Sequence, residues 1–492
     1  MNILGISAGF HDAAATVINS LGEIVFAGHS ERYSKIKNDP NIHTDLIWDL
    51  ADGRHIDHIA YYETPWKKQL RQLYSGQGIE WSKLTTRQII KKQLQGYFSS
   101  TPFSTHNHHL SHAAAGFQTS PYKRATVVVI DAIGEWDTIS IWAAEYVNGR
   151  AEYKRMWGQK YPHSIGLFYS AMTQEAGLKP MEDEYILMGM AAYGSTVASA
   201  SMETLLIEDP YDIIFKENLH IGSSVPWSMH FDDRDIAASS QKICEELVYN
   251  VMGKARSFDW SPNLVYMGGV SLNCLANRNL GRYFDNIWIM PNPGDAGSSL
   301  GAAALVHGGP LQWKDAYLGY NIPGEYPVSG LLNELLTNKI VGVASGRAEF
   351  GPRALGNRSL LADPRGRNIK DCVNTIKQRQ QFRPFAPVIL EEYANEYFDM
   401  PSSWSDSRYM QIVGRCKNPD LFPAIVHYDG TSRIQTVPAD GSGIRQLLEA
   451  WYAETGCPML LNTSLNIKGE PMVNDRKDAD RFEKQYGVKV VS

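Results

Sequence analysis

The stretch "ATVVVIDA", residues 125–132, is a short apolar run that ends on an acid. Its length and β-branched content fit a buried strand, which would deliver Asp131 to a loop at its C-terminal end. "TISIWAAEYV" and the residues after "NGR" follow it as further strand-like pieces. The chain opens in the same way, with "NILGIS", "AATVI" and "EIVFAGH", which read as a β-meander. The order strand, strand, strand, helix therefore occurs twice. This predicts an α/β fold whose N-terminal region has two related lobes.

Downstream, "QKICEELVYNVMGKA" (241–255) places Ile243, Leu247, Val248 and Val251 at helical spacing and predicts an amphipathic helix. "NLVYMGGVSLNC" and "NIWIMPNPGDAGSSLGAAAL" each read as strand, glycine turn and helix start, with Asp295 in the second turn. The stretch "GYNIPGEYPV" (319–328) is rich in Gly and Pro and has no period, so a domain boundary is expected there. It divides the chain into 1–325 and 326–492.

Composition narrows the function. The 492 residues correspond to roughly three globular units at about 150 residues each. A net charge of −6 gives no support for a membrane surface or a nucleic-acid partner, and neither is expected. The five cysteines are scattered and include no C-x-x-C pair, which excludes a cysteine zinc ribbon. Reduced thiols in the cytoplasm are the expectation. "MNILGISAGFHD" has no basic lead into an apolar core, so no secretory signal is expected, and no run of 18 apolar residues exists.

Four groups of residues could carry chemistry. In "HNHHLSHAAAGF" (106–117), His108 and His112 are an i, i+4 pair that shares a helix face and suits a divalent metal. The i, i+3 pairs His106/His109 and His109/His112 compete with it, as does a plain polar first turn on a core helix. Asp131 and Asp295 are candidate carboxylate ligands, and two His with one or two Asp suit Fe(II) or another divalent ion. The turns "DAIGE", "MGGVSLN" and "GDAGSS" bring Gly134, Gly268, Gly269, Asn273 and Gly294 to strand ends, where backbone N–H groups can cradle phosphates. Each alone is a tight turn; three in a duplicated order point to a nucleotide cleft. "GRAEFGPRALGNRS" and "IKQRQQFRPFAP" gather Arg347, Arg353, Arg358, Lys377, Arg379 and Arg383, which favours a small-anion or triphosphate pocket over a charged surface. "LLNTSLNIKGEP" sets Asn462, Ser464 and Asn466 after an apolar strand, where their polar groups could orient a planar substrate.

Taken together, "GFHDAA", "HHLSHAAAGF", "DAIGE", "LMGMAAYG", "GGVSLNC", "GDAGSSLGAA", "FGPRALGNRSLLADPR", "RPFAPV" and "NTSLNIKGEP" stand in the order found in the O-carbamoyltransferases of the NodU/CmcH family. The chain resembles that family from its first strand to about residue 473. The resemblance implies a two-lobed actin-like (ASKHA, TsaD-like) region over 1–325 and an α/β YrdC-like domain over 326–492. It implies that the second domain makes carbamoyl-adenylate from carbamoyl phosphate and ATP, with Mg2+ accompanying the ATP. The first would pass the carbamoyl group to a hydroxyl of a small-molecule acceptor.

By the same resemblance, His108, His112, Asp131 and Asp295 match Fe(II) ligands, His11 a general base, and Asp12 an acceptor contact. Lys377 and Arg379 reproduce a K-x-R pair, Ser464 and Asn466 an S-x-N pair, and Arg433 an arginine of the carbamoyl phosphate site. Arg347 and Arg353 join the substrate-binding set. One departure stands out: Ile186 replaces the family's usual lysine. Other readings are a nucleotide- and metal-binding regulator without turnover and a tRNA threonylcarbamoyl transferase. The weakly patterned segments 62–105 and 196–236 are the candidates for the acceptor pocket. A homodimer is the expectation from frequency alone.

Overall fold

The computed structural model describes residues 1–380, 383, 385–404 and 406–492, so Pro384 of "RPFAPV" lies outside the described residues. The chain forms two compact units. Unit 1 is Met1–Val25 with Pro40–Trp313, and unit 2 is Phe26–Asp39 with Lys314–Ser492.

The first 288 residues hold two five-stranded sheets of the same design, and of their strands only the third, from Phe26 on, is counted outside unit 1. In the first, β1 (Ile3–Ser7), β2 (Ala14–Ile18), β3 (Ile24–His29), β4 (His58–Tyr61) and β5 (Phe103–Thr105) lie in the order β3-β2-β1-β4-β5. The second has β6 (Arg124–Gly134), β7 (Asp137–Val147) and β8 (Arg150–Lys160). A small hairpin of β9 (Ile207–Asp209) and β10 (Ile214–Phe215) comes next along the chain, before β11 (Asn263–Met267) and β12 (Asn286–Trp288). The order in this sheet is β12-β11-β6-β7-β8. In both sheets the first strand pairs antiparallel with its successor and parallel with the fourth, which pairs parallel with the fifth. The duplication expected from the strand order is therefore a duplication of topology. The parallel pairs need helical crossovers: the helices Pro65–Tyr74 and Thr86–Gln93 lie between β4 and β5, whereas the helix His108–Thr119 follows β5 and leads into β6 of the second sheet.

One expectation is corrected here. β6 does not end at Asp131 but runs to Gly134 and turns back into β7 as a hairpin. The ladder is interrupted between Ile130 and Gly134, so Asp131 lies on an extended strand whose regular pairing has lapsed. An apolar run ending in an acid looks the same in sequence whether a loop or an unpaired strand segment follows.

The helix His108–Thr119 packs on β6 and β11, and the helix Ser298–His307 packs on β1, β2 and β4. The two helices meet face to face. Their closest approach is at Gly301, where a Cβ would stand 1.7 Å from the Ser111 carbonyl oxygen. Gly5 is equally constrained, since a Cβ there would lie 1.9 Å from Ser299 O. The helix predicted at 241–255 is present within the longer Asp233–Ser257 and buries Ile243, Leu247, Val248 and Val251.

Unit 2 pairs β13 (Tyr317–Ile322) with β15 (Gly346–Glu349), and builds a six-stranded mixed sheet beside them. That sheet takes β14 (Ile340–Ala344), β16 (Arg358–Ala362), β17 (Ala386–Leu390), β21 (Gln435–Val437), β22 (Met459–Ser464) and β23 (Val490–Val491) in the order β21-β17-β22-β16-β14-β23. A third sheet joins β18 (Phe398–Asp399), β19 (Val413–Cys416) and β20 (Thr431–Arg433). The division expected after residue 325 thus falls inside unit 2. The aperiodic "GYNIPGEYPV" concealed the end of β13, whose partner lies about 25 residues further on. No disulfide joins the five cysteines. Among the described residues, no helix is long and apolar enough to cross a membrane.

Two outcomes are expected. Gly301→Ala forces backbone apart at the helix crossing and should cost about 1–3 kcal/mol in urea unfolding. The second concerns His29, which is buried against Phe350 in unit 2. Burial, and then the charge of Arg32, pushes its pKa down to about 3. The unfolded chain takes up this proton near pH 6.5 and the folded chain does not, so stability falls as pH drops below 6.5. Between pH 7 and pH 5 the wild type should lose about 2 kcal/mol more than His29→Gln.

Candidate metal centre and anion site

The helix His108–Thr119 starts well for local reasons. Asn107 caps it by accepting from Leu110 N. The buried Glu135 carboxylate accepts from His108 N at 3.3 Å, Thr64 N at 2.7 Å and Asn107 Nδ2 at 3.0 Å. A carboxylate on a helix N-terminus is stabilising by about 0.3–2 kcal/mol. Gly134 admits the first turn, since a Cβ there would lie 2.3 Å from His108 Cδ2.

That turn brings the four predicted ligands together. One ligand atom from each of His108, His112, Asp131 and Asp295 lies within 4.8 Å of the others. His108 Nε2 is 3.1 Å from His112 Nε2, 3.3 Å from Asp131 Oδ2 and 3.4 Å from Asp295 Oδ1. His112 Nε2 is also 3.4 Å from Asp295 Oδ1. The strand β6 supplies Asp131, and the turn Asp295–Gly297 supplies Asp295 just before the helix Ser298–His307. Gly269 N donates to Asp131 Oδ1 at 3.2 Å and fixes the carboxylate.

The donor set fits a cation. His112 Nδ1 is 3.1 Å from Pro293 O, which can only accept, so Nδ1 carries the proton and Nε2 presents a lone pair. His108 Nδ1 likewise faces Glu63 Oε2 at 3.2 Å. With His108 Nε2 deprotonated, two imidazole lone pairs and two carboxylates converge, a set suited to Fe(II) or another divalent ion. Burial disfavours a charged His108, but Asp295 and the hydrogen bonds to Asp131, Asp295 and Glu63 outweigh it and hold the pKa well above the usual value. Burial also opposes ionisation of Asp295, and His108 and His112 overcome it to keep the pKa well below the carboxylate range. The competing histidine pairs are not formed: His106 Nε2 meets Ser104 Oγ at 2.9 Å, and His109 Nδ1 meets Ser140 Oγ at 2.7 Å.

Sequence reasoning missed Glu63, Lys68 and the capping role of Glu135. Glu63 is fully buried and takes two 3.2 Å contacts from Lys68 Nζ, besides its contact with His108. The only signal was an acid directly after the strand-like "HIAYY". Lys68 Nζ lies 4.0 Å above the Phe10 ring, which ties the loop after β1 to this shell. His11 and Asp12 stand on that loop, with His11 Nδ1 3.6 Å from Asp12 Oδ2.

The glycine turns have structural duties. Gly268 has φ 91°, and a Cβ there would meet Ile130 O at 2.1 Å. Asn273 exchanges hydrogen bonds with Gln241 and caps the helix Cys274–Asn277, so its amide shapes the turn. Gly294 precedes the Asp295 turn, with open space at its Cα.

In unit 2, Lys377 ends the helix Ile369–Ile376 and reaches across to the end of β22. Its Nζ donates to Ser464 O at 2.6 Å and to Asn466 Oδ1, and Ser464 Oγ donates to Asn466 Oδ1 at 2.7 Å. The lysine of K-x-R and both members of S-x-N thus meet. Burial, then repulsion from Arg379, Arg383 and Lys37, holds the Lys377 pKa well below the usual lysine value. Lys37 belongs to the segment Phe26–Asp39 and had no sequence signal at this distance. Arg379 donates to Asn374 Oδ1 at 2.7 Å and lies 4.1 Å from the Phe385 ring.

The other arginines divide. Arg358 does not join an anion pocket: it is fully buried and donates to the carbonyls of Asn474, Ser345, Asn357, Tyr320 and Gly346. Arg347 donates to the carbonyls of Gly319 and Leu318 on β13. Arg353 is half-buried in the loop before β16, and Arg433 ends β20. Glu349 Oε1 shapes that loop by accepting from Leu355 N, Asn357 N and Arg358 N at 2.8–3.1 Å. Ile186 is buried in the helix Glu184–Met190.

Comparison with known proteins agrees along the chain. A profile described as carbamoyltransferase N-terminus matches residues 2–304, and one described as carbamoyltransferase C-terminus matches residues 332–492. An uncharacterised Synechocystis protein, sll1178, is 32% identical over 98% of this chain and 94% of its own. Nodulation protein NolNO of Sinorhizobium fredii is 30% identical over 95% of this chain and 76% of its own. The 3'-hydroxymethylcephem-O-carbamoyltransferase of Amycolatopsis lactamdurans is 27% identical over 97% of this chain and 95% of its own. With its N-terminal and C-terminal parts both matched in order, the chain belongs to the carbamoyltransferase family and is a transferase enzyme.

Proposed function

We propose that this enzyme is an ATP-dependent O-carbamoyltransferase with two reaction sites, one in each unit. The observation that carries the reading is the meeting of Lys377 with Ser464 and Asn466 amid like charges from Arg379, Arg383 and Lys37. Cations packed together repel one another, and a polyanion bound among them would relieve that repulsion. Carbamoyl phosphate, and ATP with Mg2+, are such anions. Arg353 and Arg433 are placed on the same reading among the substrate contacts.

Atom balance sets the first reaction. Water releases phosphate from carbamoyl phosphate, a carbamate oxygen attacks the α-phosphorus of ATP, and pyrophosphate leaves. The product is carbamoyl-adenylate. In unit 1 an acceptor hydroxyl bonds to the carbamoyl carbon, the bond to AMP breaks, and the hydroxyl proton goes to His11. A neutral imidazole suits that task near pH 7, and Asp12 beside it would hold the acceptor.

His108, His112, Asp131 and Asp295 would hold Fe(II) or another divalent ion, which when bound supplies a Lewis acid for the phosphate oxygens of the adenylate. Glu63 and Glu135 keep the histidines in register. The two-sheet duplication of unit 1 supports an actin-like reading of that region. The acceptor is read as a small hydroxyl compound, in keeping with the hydroxymethyl named in the Amycolatopsis relative.

Two outcomes test this. Pyrophosphate should form from ATP only when carbamoyl phosphate is present; release without it, or none at all from metal-loaded protein, overturns the reading. Lys377→Met should lower pyrophosphate release by about 100-fold or more, yet transfer from supplied carbamoyl-adenylate should continue. His112→Ala should do the reverse. Equal loss of both steps in either variant would sink the two-site assignment.

A further inference from the structure

Arg71 is 4% exposed, and its Nε and Nη1 are buried with no hydrogen-bond partner. Its guanidinium carbon lies 5.8 Å from the centroid of the Tyr161 ring. His220 packs edge-on against the same ring with centroids 5.8 Å apart, and its Nδ1 is likewise buried without a partner. Tyr161 Oη accepts from Asn218 Nδ2 at 2.6 Å, which leaves the hydroxyl proton directed elsewhere.

Burying a guanidinium without an acceptor costs several kcal/mol, and native chains rarely leave such a group unanswered. The acid within Coulomb range of Arg71 is Glu63, which is already committed to Lys68 and His108. Nε and Nη1 of Arg71 are thus two buried donors suited to an acceptor of negative charge. Arg71 belongs to the helix Pro65–Tyr74, and Asn218 and His220 to the 3-10 turn Leu219–Ile221 and its cap. These are the two segments, 62–105 and 196–236, whose weak patterning marked them for the acceptor.

We infer that Arg71, Tyr161 and His220 form an oxyanion subsite, for a carboxylate or a phosphate, beside the transfer centre. Guanidinium forks recognise both groups in a bidentate manner, and the ring beneath fixes the plane of the fork. The subsite rests on the proposed function for its role in transfer, and on its own geometry for its chemistry. An acceptor that uses it carries an acidic group besides the hydroxyl; otherwise the occupant is the nucleotide phosphate.

Equilibrium dialysis of the full chain against labelled inorganic sulfate tests it. Arg71→Gln should weaken one class of sulfate site by about tenfold or more, and His220→Asn by about threefold. His220 is half-exposed, so its variant serves if Arg71→Gln does not fold. Wild-type binding by both variants overturns the inference. Displacement of that sulfate by AMP assigns the nucleotide phosphate, and displacement by glucuronate alone assigns an acidic acceptor. If neither displaces it, the site is not a substrate subsite and the inference fails. Lys377→Met reports separately, because it should remove only sulfate bound in unit 2; its failure to do so counts against the proposed function and leaves Arg71 untouched.

Discussion

Unit 1 depends on how closely two helices approach. Where His108–Thr119 crosses Ser298–His307, Gly301 leaves no atom between its own backbone and the Ser111 carbonyl. Ser111 directly precedes His112, and the second helix is launched by the turn that carries Asp295. The helix contact and the ligand cluster are thus one object. Any side chain at the crossing would move two ligands away from a third, and interiors packed at this density have little slack to absorb the shift.

Much of this was legible because it is periodic or repeated. The doubled strand order announced the doubled topology, while helical spacing offered His108 with His112 as one of three pairs, from which the family resemblance chose. What stayed hidden depended on tertiary context. The apolar run before Asp131 could not reveal that pairing resumes at Gly134 with Asp137. Glu63 has no motif, since its meaning lies in a histidine 45 residues away. Glu135 was visible only as the tail of a glycine turn, although its carboxylate seats the helix that carries the candidate ligands His108 and His112. The end of β13 lay inside a Gly/Pro-rich stretch and passed for a linker.

Unit 2 shows why counting cations in a sequence misleads. Arg358 and Lys377 stand in similar company along the chain, yet they do opposite work. Arg358 spends its donors on five carbonyls and is a strut for β16. Lys377 makes its own contacts with Ser464 and Asn466, but it stands among charges of its own sign, and burial drives its pKa down. The difference lies in what surrounds each group, which sequence spacing does not record.

The segment Phe26–Asp39 has a consequence for how the polypeptide matures. Its first residues, Phe26–His29, belong to β3 beside β2, yet the rest of its unit begins only at Lys314. Arg32 donates to Gly351 O, and Lys35 pairs with Asp478, so these contacts close only once both of those residues have been made. Unit 2 therefore cannot complete itself from its C-terminal stretch alone, and a fragment cut at residue 314 would lack Lys37 beside the Lys377 site. The part beyond β3 must wait for those partners to be made. Assembly of the candidate anion site thereby comes late in folding and needs both stretches of the chain.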